Sequence, residues 1–316
     1  MPSDAYSRLR ARLERSPVVL DAPVGAELVR RGVRWRKHGL LTDADAVRRA
    51  HVDYLRAGAD LTRTNTFGLN RRTYLNVFRS PEHMAQIGAP GLATLHLRLL
   101  RRAVEVAREA RDQAGRPDAP IAGVLSTLEH VFRPDLAPSG EAAEGEHAEI
   151  ARTLAEAGVE MLVVEAMTTL AEARHALAAA RATGLPLWAS FAVDERGDLL
   201  GREPLVEAVR LAQEGGAEAV VVTGGLPQDV ERGFAAIQAE LRVPGGVAPM
   251  CGRFDPPSWK FEFHPQFALA PPPDHFAERV RGWIASGARV VGAWCGATPE
   301  HVVALRRAVD APAGAA

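Results

Sequence analysis

The feature that most constrains the fold is a short motif that occurs four times, in which a helical-looking segment ends at a glycine and an apolar run follows. Each glycine suits the left-handed conformation that ends a helix, and each apolar run suits a parallel strand buried on both faces. Helix, glycine and strand together form the αβ half of a βαβ unit. The four motifs begin at Ala57-Gly58, Ala157-Gly158, Gly215-Gly216 and Ser286-Gly287.

Four further strand candidates alternate with these motifs: Val18 to Asp21, Pro120 to Leu125, Leu185 to Val193 and Gly246 to Met250. Eight strands separated by helices predict an α/β fold, a (β/α)8 TIM barrel formed as a single domain over residues 1–316. The first 16 residues are expected to form a short N-terminal surface helix and residues 311–316 a disordered tail. A doubly wound open sheet is the alternative, but the count of eight and the absence of a G-x-G-x-x-G after the first strand favour the barrel.

Charge and composition exclude several classes of partner. The formal net charge is -1 in 316 residues, which argues against a nucleic-acid-binding surface. No apolar run is long enough to span a membrane. The cysteines are Cys251 and Cys295 alone, too few for a disulfide framework. We therefore expect a cytoplasmic protein with no nucleic-acid or membrane partner, and no sequence feature specifies an oligomeric state.

Two acidic residues end apolar runs at predicted strand ends, where a barrel carries its active site. Asp21 ends the first strand and Glu165 the fourth. An unpaired buried carboxylate is expensive, so each needs a cation or hydrogen-bond donors. One hypothesis is that the pair holds the ammonium group of a substrate. The alternative is that each acid caps a helix or accepts backbone N–H bonds.

Three further residues near these strand ends are candidates for substrate contact. Arg63 is predicted to reach a carboxylate, either that of the substrate or Glu165, as a fork-shaped donor. Asn65 can contact a ligand or fix nearby loops through side-chain-to-backbone bonds. Trp294 can form a substrate wall or simply pack.

The two cysteines follow the predicted seventh and eighth strands, which we expect to be neighbours. Two thiolates there can share one Zn²⁺, with a third ligand such as His264 or Glu165. A buried cysteine is more often a small hydrophobic residue. A redox-active pair is a further alternative, if the two Cα atoms lie close enough to allow a disulfide.

Four segments resemble the homocysteine S-methyltransferase family, whose domain is a homocysteine-binding barrel. LDAPVGAEL at Leu20 to Leu28 is similar to the family's L-D-G-x-x-G-T-E-L. HVDYLRAGADLTRTNTFGLN at His51 to Asn70 is the most specific match, and VEMLVVEAMTTLAEA at Val159 to Ala173 and WCGATPEHV at Trp294 to Val302 match later motifs. The resemblance covers about Val18 to Val309.

The resemblance implies a methyltransferase that carries a methyl group to the thiol of homocysteine or a related thiol amino acid. Family members hold Zn²⁺ with three cysteines, and the metal lowers the thiol pKa so that a thiolate attacks the donor's methyl group. By the same resemblance, Asp21 and Glu165 contact the substrate's amino group. Cys295, the catalytic candidate, is the second of the family's paired zinc ligands.

This chain departs from the family pattern at the site. Trp294 replaces the first of the paired cysteines, and Thr223-Gly224 replaces the sixth-strand N-C. Arg63 stands where a small residue is usual, and Cys251 falls where the family has no cysteine. Three hypotheses follow: a methyltransferase with a relocated zinc site at Cys295 and Cys251, a zinc-free enzyme for another amino-acid-like substrate, or a non-catalytic amino-acid-binding protein. Phosphate binding by glycines near the sixth and seventh strands ranks last.

Overall fold

A computed structural model describes residues 3–33, 37–72, 91, 94–251, 254–255, 266–267 and 271–311. Ten α-helices lie within these residues: α1 Asp4–Arg15, α2 Val24–Arg30, α3 Ala44–Arg56, α4 Leu95–Ala114, α5 Gly140–Glu156, α6 Leu170–Ala182, α7 Leu205–Glu214, α8 Pro227–Ile237, α9 Pro273–Ala285 and α10 Pro299–Asp310. Short 3₁₀ turns occur at Lys37–Gly39, Pro134–Leu136 and Gln238–Glu240. Of the expected disordered tail, residues 312–316 lie outside the described part of the chain.

The strands in the same residues are β1 Val18–Val19, β2 Thr62–Arg63, β3 Ile121–Leu125, β4 Met161–Met167, β5 Leu187–Ala192, β6 Ala219–Thr223, β7 Gly245–Ala248, β8 Phe254–Asp255, β9 Gln266–Phe267 and β10 Val290–Val291. Eight of them form one sheet in the order β1-β10-β7-β6-β5-β4-β3-β2, and all its pairs are parallel. The β8 and β9 strands form a separate antiparallel pair. The prediction of eight parallel strands alternating with helices is confirmed.

The two edges of this sheet, β1 and β2, are linked by side-chain and single backbone bonds instead of a strand ladder. The Asp60 N–H donates to the Val19 carbonyl at 2.8 Å, and the Val19 N–H donates to the Asp60 carboxylate at 2.8 Å. A carboxylate takes the place of a backbone acceptor here, and β1 and β2 are each two residues long, shorter than the sequence predicts. The sheet order still brings the first and last strands of the chain side by side.

Helix α1 packs across the amino-terminal ends of the strands, where the sequence predicted only a surface helix. The Ser3 hydroxyl accepts the Tyr6 N–H and so caps the helix. Tyr6, Leu9 and Leu13 are buried in one apolar cluster with inward-facing strand residues such as Trp188. The larger cluster lies between the sheet and the outer helices. This arrangement fills the amino-terminal end and leaves the carboxyl ends of the strands for polar groups.

No helix among the described residues is long and apolar enough to cross a membrane.

Candidate functional site

A buried cluster of three charged side chains lies at the carboxyl ends of β1, β2 and β4. Arg63 Nε donates to Asp21 Oδ1 at 2.6 Å, and Nη1 donates to Glu165 Oε1 at 2.6 Å. Arg63 also donates from Nη2 to the Asp21 carbonyl at 2.7 Å and from its backbone N–H to Asp21 Oδ2 at 2.8 Å. The three residues are only 1%, 8% and 5% exposed for Asp21, Arg63 and Glu165. Arg63 thus binds Glu165, one of the two partners the sequence predicted, and Asp21 as well.

The chain reaches this geometry through a backbone irregularity beside Glu165. Ala166 has a φ of 56°, and the β4–β5 register shifts between Val164 and Met167. The Ser190 hydroxyl on β5 accepts the Ala166 N–H at 2.9 Å and holds this bulge. A non-glycine residue in the left-handed region costs on the order of 1–3 kcal/mol, and such strain is found mainly at functional positions. The bulge interrupts the backbone hydrogen bonding between β4 and β5 at Glu165.

Burial and charge act in opposite directions on the cluster. Burial raises the pKa of Asp21 above its ordinary value, and the Arg63 guanidinium opposes the shift. Burial also raises the pKa of Glu165, again against Arg63, and the nearby Asp21 carboxylate adds to the rise. Burial lowers the pKa of Arg63, but Glu165 and Asp21 outweigh it, so the pKa rises and the guanidinium stays charged. The Arg63 guanidinium therefore stabilises the charged form of both carboxylates.

Trp294 connects the charged cluster to an apolar layer above it. Its Nε1 donates to Glu165 Oε1 at 3.3 Å. Its ring meets Phe67 edge to face, with centroids 5.6 Å apart. It is buried with Met250 and Ala192 in a small apolar cluster on which Cys295 packs. Trp294 therefore both packs and orients Glu165, while its use as a substrate wall stays a prediction.

The two cysteines lie side by side, as their predicted strand positions require. The Cys251 N–H donates to the Cys295 carbonyl at 2.8 Å. Burial and then the Glu165 carboxylate raise the pKa of Cys295 to about 12, and burial raises that of Cys251 still further. Burial therefore disfavours the thiolate form of both residues while no metal ion is bound, and neither has the lowered pKa of an activated nucleophile.

The residues that the structure describes hold no group of three or more His, Cys, Asp or Glu side chains placed to bind a metal ion. Two thiols supply fewer than the three protein ligands of a catalytic zinc site. Glu165, one proposed third ligand, has Oε1 bonded to Arg63 and Trp294. His264, the other, lies outside the described residues. Of the proposed ligands, the described part of the chain therefore supplies the two thiols and a partly bonded Glu165, and zinc binding stays a prediction.

The position of the missing sixth-strand cysteine is closed to any side chain. Gly224 has a φ of 71°, and a Cβ atom built on it would lie 2.5 Å from the Ala192 Cβ and 3.7 Å from Trp294 Cζ3. The neighbouring Thr223 hydroxyl donates to the Ala248 carbonyl at 2.6 Å. The close approach of Ala192 therefore leaves no room for a side chain at Gly224, and the Trp294 indole lies in van der Waals range of the same position.

Asn65 makes the side-chain-to-backbone bond that one of its two predicted roles requires, and its contact with a ligand stays a prediction. Its Nδ2 donates to the His38 carbonyl at 2.8 Å, and His38 Nε2 lies 2.8 Å from the Phe67 carbonyl. The asparagine therefore fixes the loop that carries Phe67 to Trp294.

Sequence reasoning missed Ser190 as a neighbour of the site and named Thr223 only as a departure from the family pattern at the sixth strand. With Arg63 and Glu165 they line a cavity of about 20 Å³, close to the size that one water molecule needs. The sequence contained an indication of both residues, because Ser190 and Thr223 are hydroxyl side chains in otherwise apolar buried strands.

Fold and site together define an α/β protein that carries charged and thiol groups at the carboxyl ends of parallel strands, where enzymes of this architecture place their chemistry. The chain belongs to the homocysteine S-methyltransferase family, whose family model matches residues 18–309. It is 28% identical to homocysteine S-methyltransferase of Escherichia coli strain K12, over 94% of this chain and 97% of that protein. It is 24% identical to homocysteine S-methyltransferase 4 of Zea mays, over 98% and 94% of the two chains.

The fold is similar to that of the homocysteine methyltransferase MmuM from Escherichia coli in its metallated form. The TM-score is 0.76 at 23% sequence identity, over 95% of this chain and 99% of that one. The oxidized form of the same protein gives the same TM-score, 0.76.

Proposed function

We propose that this protein is an S-methyltransferase that transfers a methyl group to the thiol of homocysteine or a related thiol amino acid, with the whole chain acting as one (β/α)8-barrel domain. The observation that carries the proposal is the family match, which spans every strand that contributes to the site. The names of the relatives in Escherichia coli and Zea mays support the same acceptor.

The proposed reaction is a substitution at carbon. The acceptor sulfur forms a new bond to the methyl carbon while the donor atom leaves with the electron pair of its own bond to that carbon, and the thiol proton passes to solvent water. A sulfonium, ammonium or folate compound is the donor class. Holding acceptor and donor in line can contribute about 7–11 kcal/mol of the barrier. The raised pKa of Cys295 supports a binding role for this thiol instead of direct nucleophilic attack.

Zinc at this site is a separate part of the proposal. Bound zinc would lower the pKa of the acceptor thiol, and Cys295 with Cys251 would be its ligands. Because the described residues provide too few donors, we derive no step through the metal. A zinc-free enzyme is the second candidate, and the two bonds that Glu165 Oε1 already accepts and the closed position at Gly224 favour it.

The test is methyl transfer to homocysteine by the purified protein with S-methylmethionine, S-adenosylmethionine, betaine or methyltetrahydrofolate as donor, together with elemental analysis. We expect methionine to form with at least one donor. A relocated zinc site predicts about one zinc per chain, as one tetrahedral site requires, and its loss in both Cys295→Ala and Cys251→Ala. Turnover that survives a chelator identifies the zinc-free enzyme. Acceptor binding with no product from any donor would refute the methyltransferase proposal.

A further inference from the structure

The contacts of Asp21 leave it no capacity for a substrate. Its Oδ1 accepts Arg63 Nε, its Oδ2 accepts the Arg63 backbone N–H, and its side chain is 1% exposed. An ammonium group needs a carboxylate oxygen that it can reach. Both oxygens of Asp21 are bonded and covered, so this acid binds arginine in place of a ligand.

Glu165 is partly used in the same way. Its Oε1 accepts both Arg63 Nη1 and Trp294 Nε1, and its side chain is 7% exposed. A ligand cation at Glu165 would approach the Arg63 guanidinium, and two like charges in a buried site repel each other strongly. The pair of acids that the sequence assigned to a substrate ammonium therefore already holds a cation supplied by the chain.

We propose that Arg63 is a specificity-determining residue that takes the place of the acceptor's ammonium group, so that the site accepts thiols whether or not they carry an α-amino group. This inference rests on the proposed function and narrows it. The preferred substrate class is a short thiol compound, with or without a carboxylate, for which the α-ammonium adds little to recognition.

The measured quantity is the ratio of kcat/KM for homocysteine to that for 4-sulfanylbutanoate, its counterpart without the amino group. A site built around a polar group of its substrate rejects the analogue that lacks the group by about 10⁴-fold or more. We expect the wild-type ratio to stay below about 10-fold, because both oxygens of Asp21 are bonded to Arg63 and the Arg63 guanidinium repels a second cation at Glu165. A ratio above that value would overturn the inference while leaving the methyltransferase assignment intact.

Two variants provide a matched comparison. Arg63→Ser frees both acids and is expected to raise the ratio above about 10-fold, whereas Arg63→Lys keeps a cation between them and is expected to keep it low. An unchanged ratio in Arg63→Ser contradicts the inference. If that variant does not fold, the wild-type ratio decides alone.

A second readout separates the two proposals. If neither thiol is methylated with any donor, the proposed function fails, and the dissociation constants of the two thiols by calorimetry decide the inference by the same ratio. Failure of both thiols to bind would overturn it.

Discussion

Removing the Arg63 side chain should be one of the most destabilising single changes to the charged cluster. Arg63→Met keeps the length and apolar stem but deletes three hydrogen bonds of 2.6, 2.6 and 2.7 Å to Asp21 Oδ1, Glu165 Oε1 and the Asp21 carbonyl. It leaves two buried carboxylates without a cation. Breaking a buried ion pair by removing one partner costs about 3–5 kcal/mol, so we expect the free energy of unfolding to fall by about that amount at pH 7.5.

The assay is urea unfolding followed by tryptophan fluorescence, with Arg210→Met as the control. Arg210 pairs with Glu240 at 2.9 Å, but its side chain is 52% exposed, and we expect a much smaller loss than in Arg63→Met because water screens the pair. Adding Asp21→Asn and Glu165→Gln to Arg63→Met should recover most of the loss, because no buried charge then remains.

The loss of stability in Arg63→Met should depend on pH, and the direction of that dependence follows from the pKa values of the two acids. Without Arg63 the pKa values of Asp21 and Glu165 in the folded state rise further above their unfolded values, so the folded variant binds protons that the unfolded chain does not. The deficit relative to wild type should therefore shrink as the pH falls towards 5. A loss below about 1 kcal/mol, or one that does not change with pH, would refute this account of the cluster.

Two further predictions concern a glycine and a buried histidine. Gly224→Ala should lower the free energy of unfolding by about 2–4 kcal/mol, because a φ of 71° and a Cβ 2.5 Å from Ala192 Cβ combine strain with overcrowding. Gly216→Ala, with a φ of 91° and open space around it, should lower it by only about 1 kcal/mol. Equal losses of stability in thermal unfolding of the two variants would contradict the steric argument. Burial lowers the pKa of His51 to about 4 from an ordinary 6.5. Since the unfolded chain takes up this proton first, stability should be lost as the pH falls from 7 to 5, by about 2 kcal/mol from this residue. His51→Gln should remove that part of the pH dependence and the exposed His275→Gln should not, with urea unfolding at both pH values as the measurement.

The alternation of elements was available from the sequence because it follows from local physics. Glycines such as Gly58 and Gly158 adopt the left-handed conformation after α3 and α5, and apolar runs such as the one in β6 can be buried only between helices. The parallel sheet and the convergence of Asp21, Glu165 and Cys295 at its carboxyl ends follow from that order. The family was likewise readable from motifs that stay contiguous in the chain.

Only the tertiary structure decided what the convergent groups do to one another. Arg63 and Glu165 are about a hundred residues apart in sequence, and no local pattern states that one guanidinium serves two acids. The closed position at Gly224 depends on Ala192, a residue of the adjacent strand. Local conformational preference fixes where strands begin and end, whereas charge compensation and steric exclusion depend on distances between strands. For that reason the sequence predicted that the two acids bind a substrate ammonium group, whereas in the structure they bind Arg63.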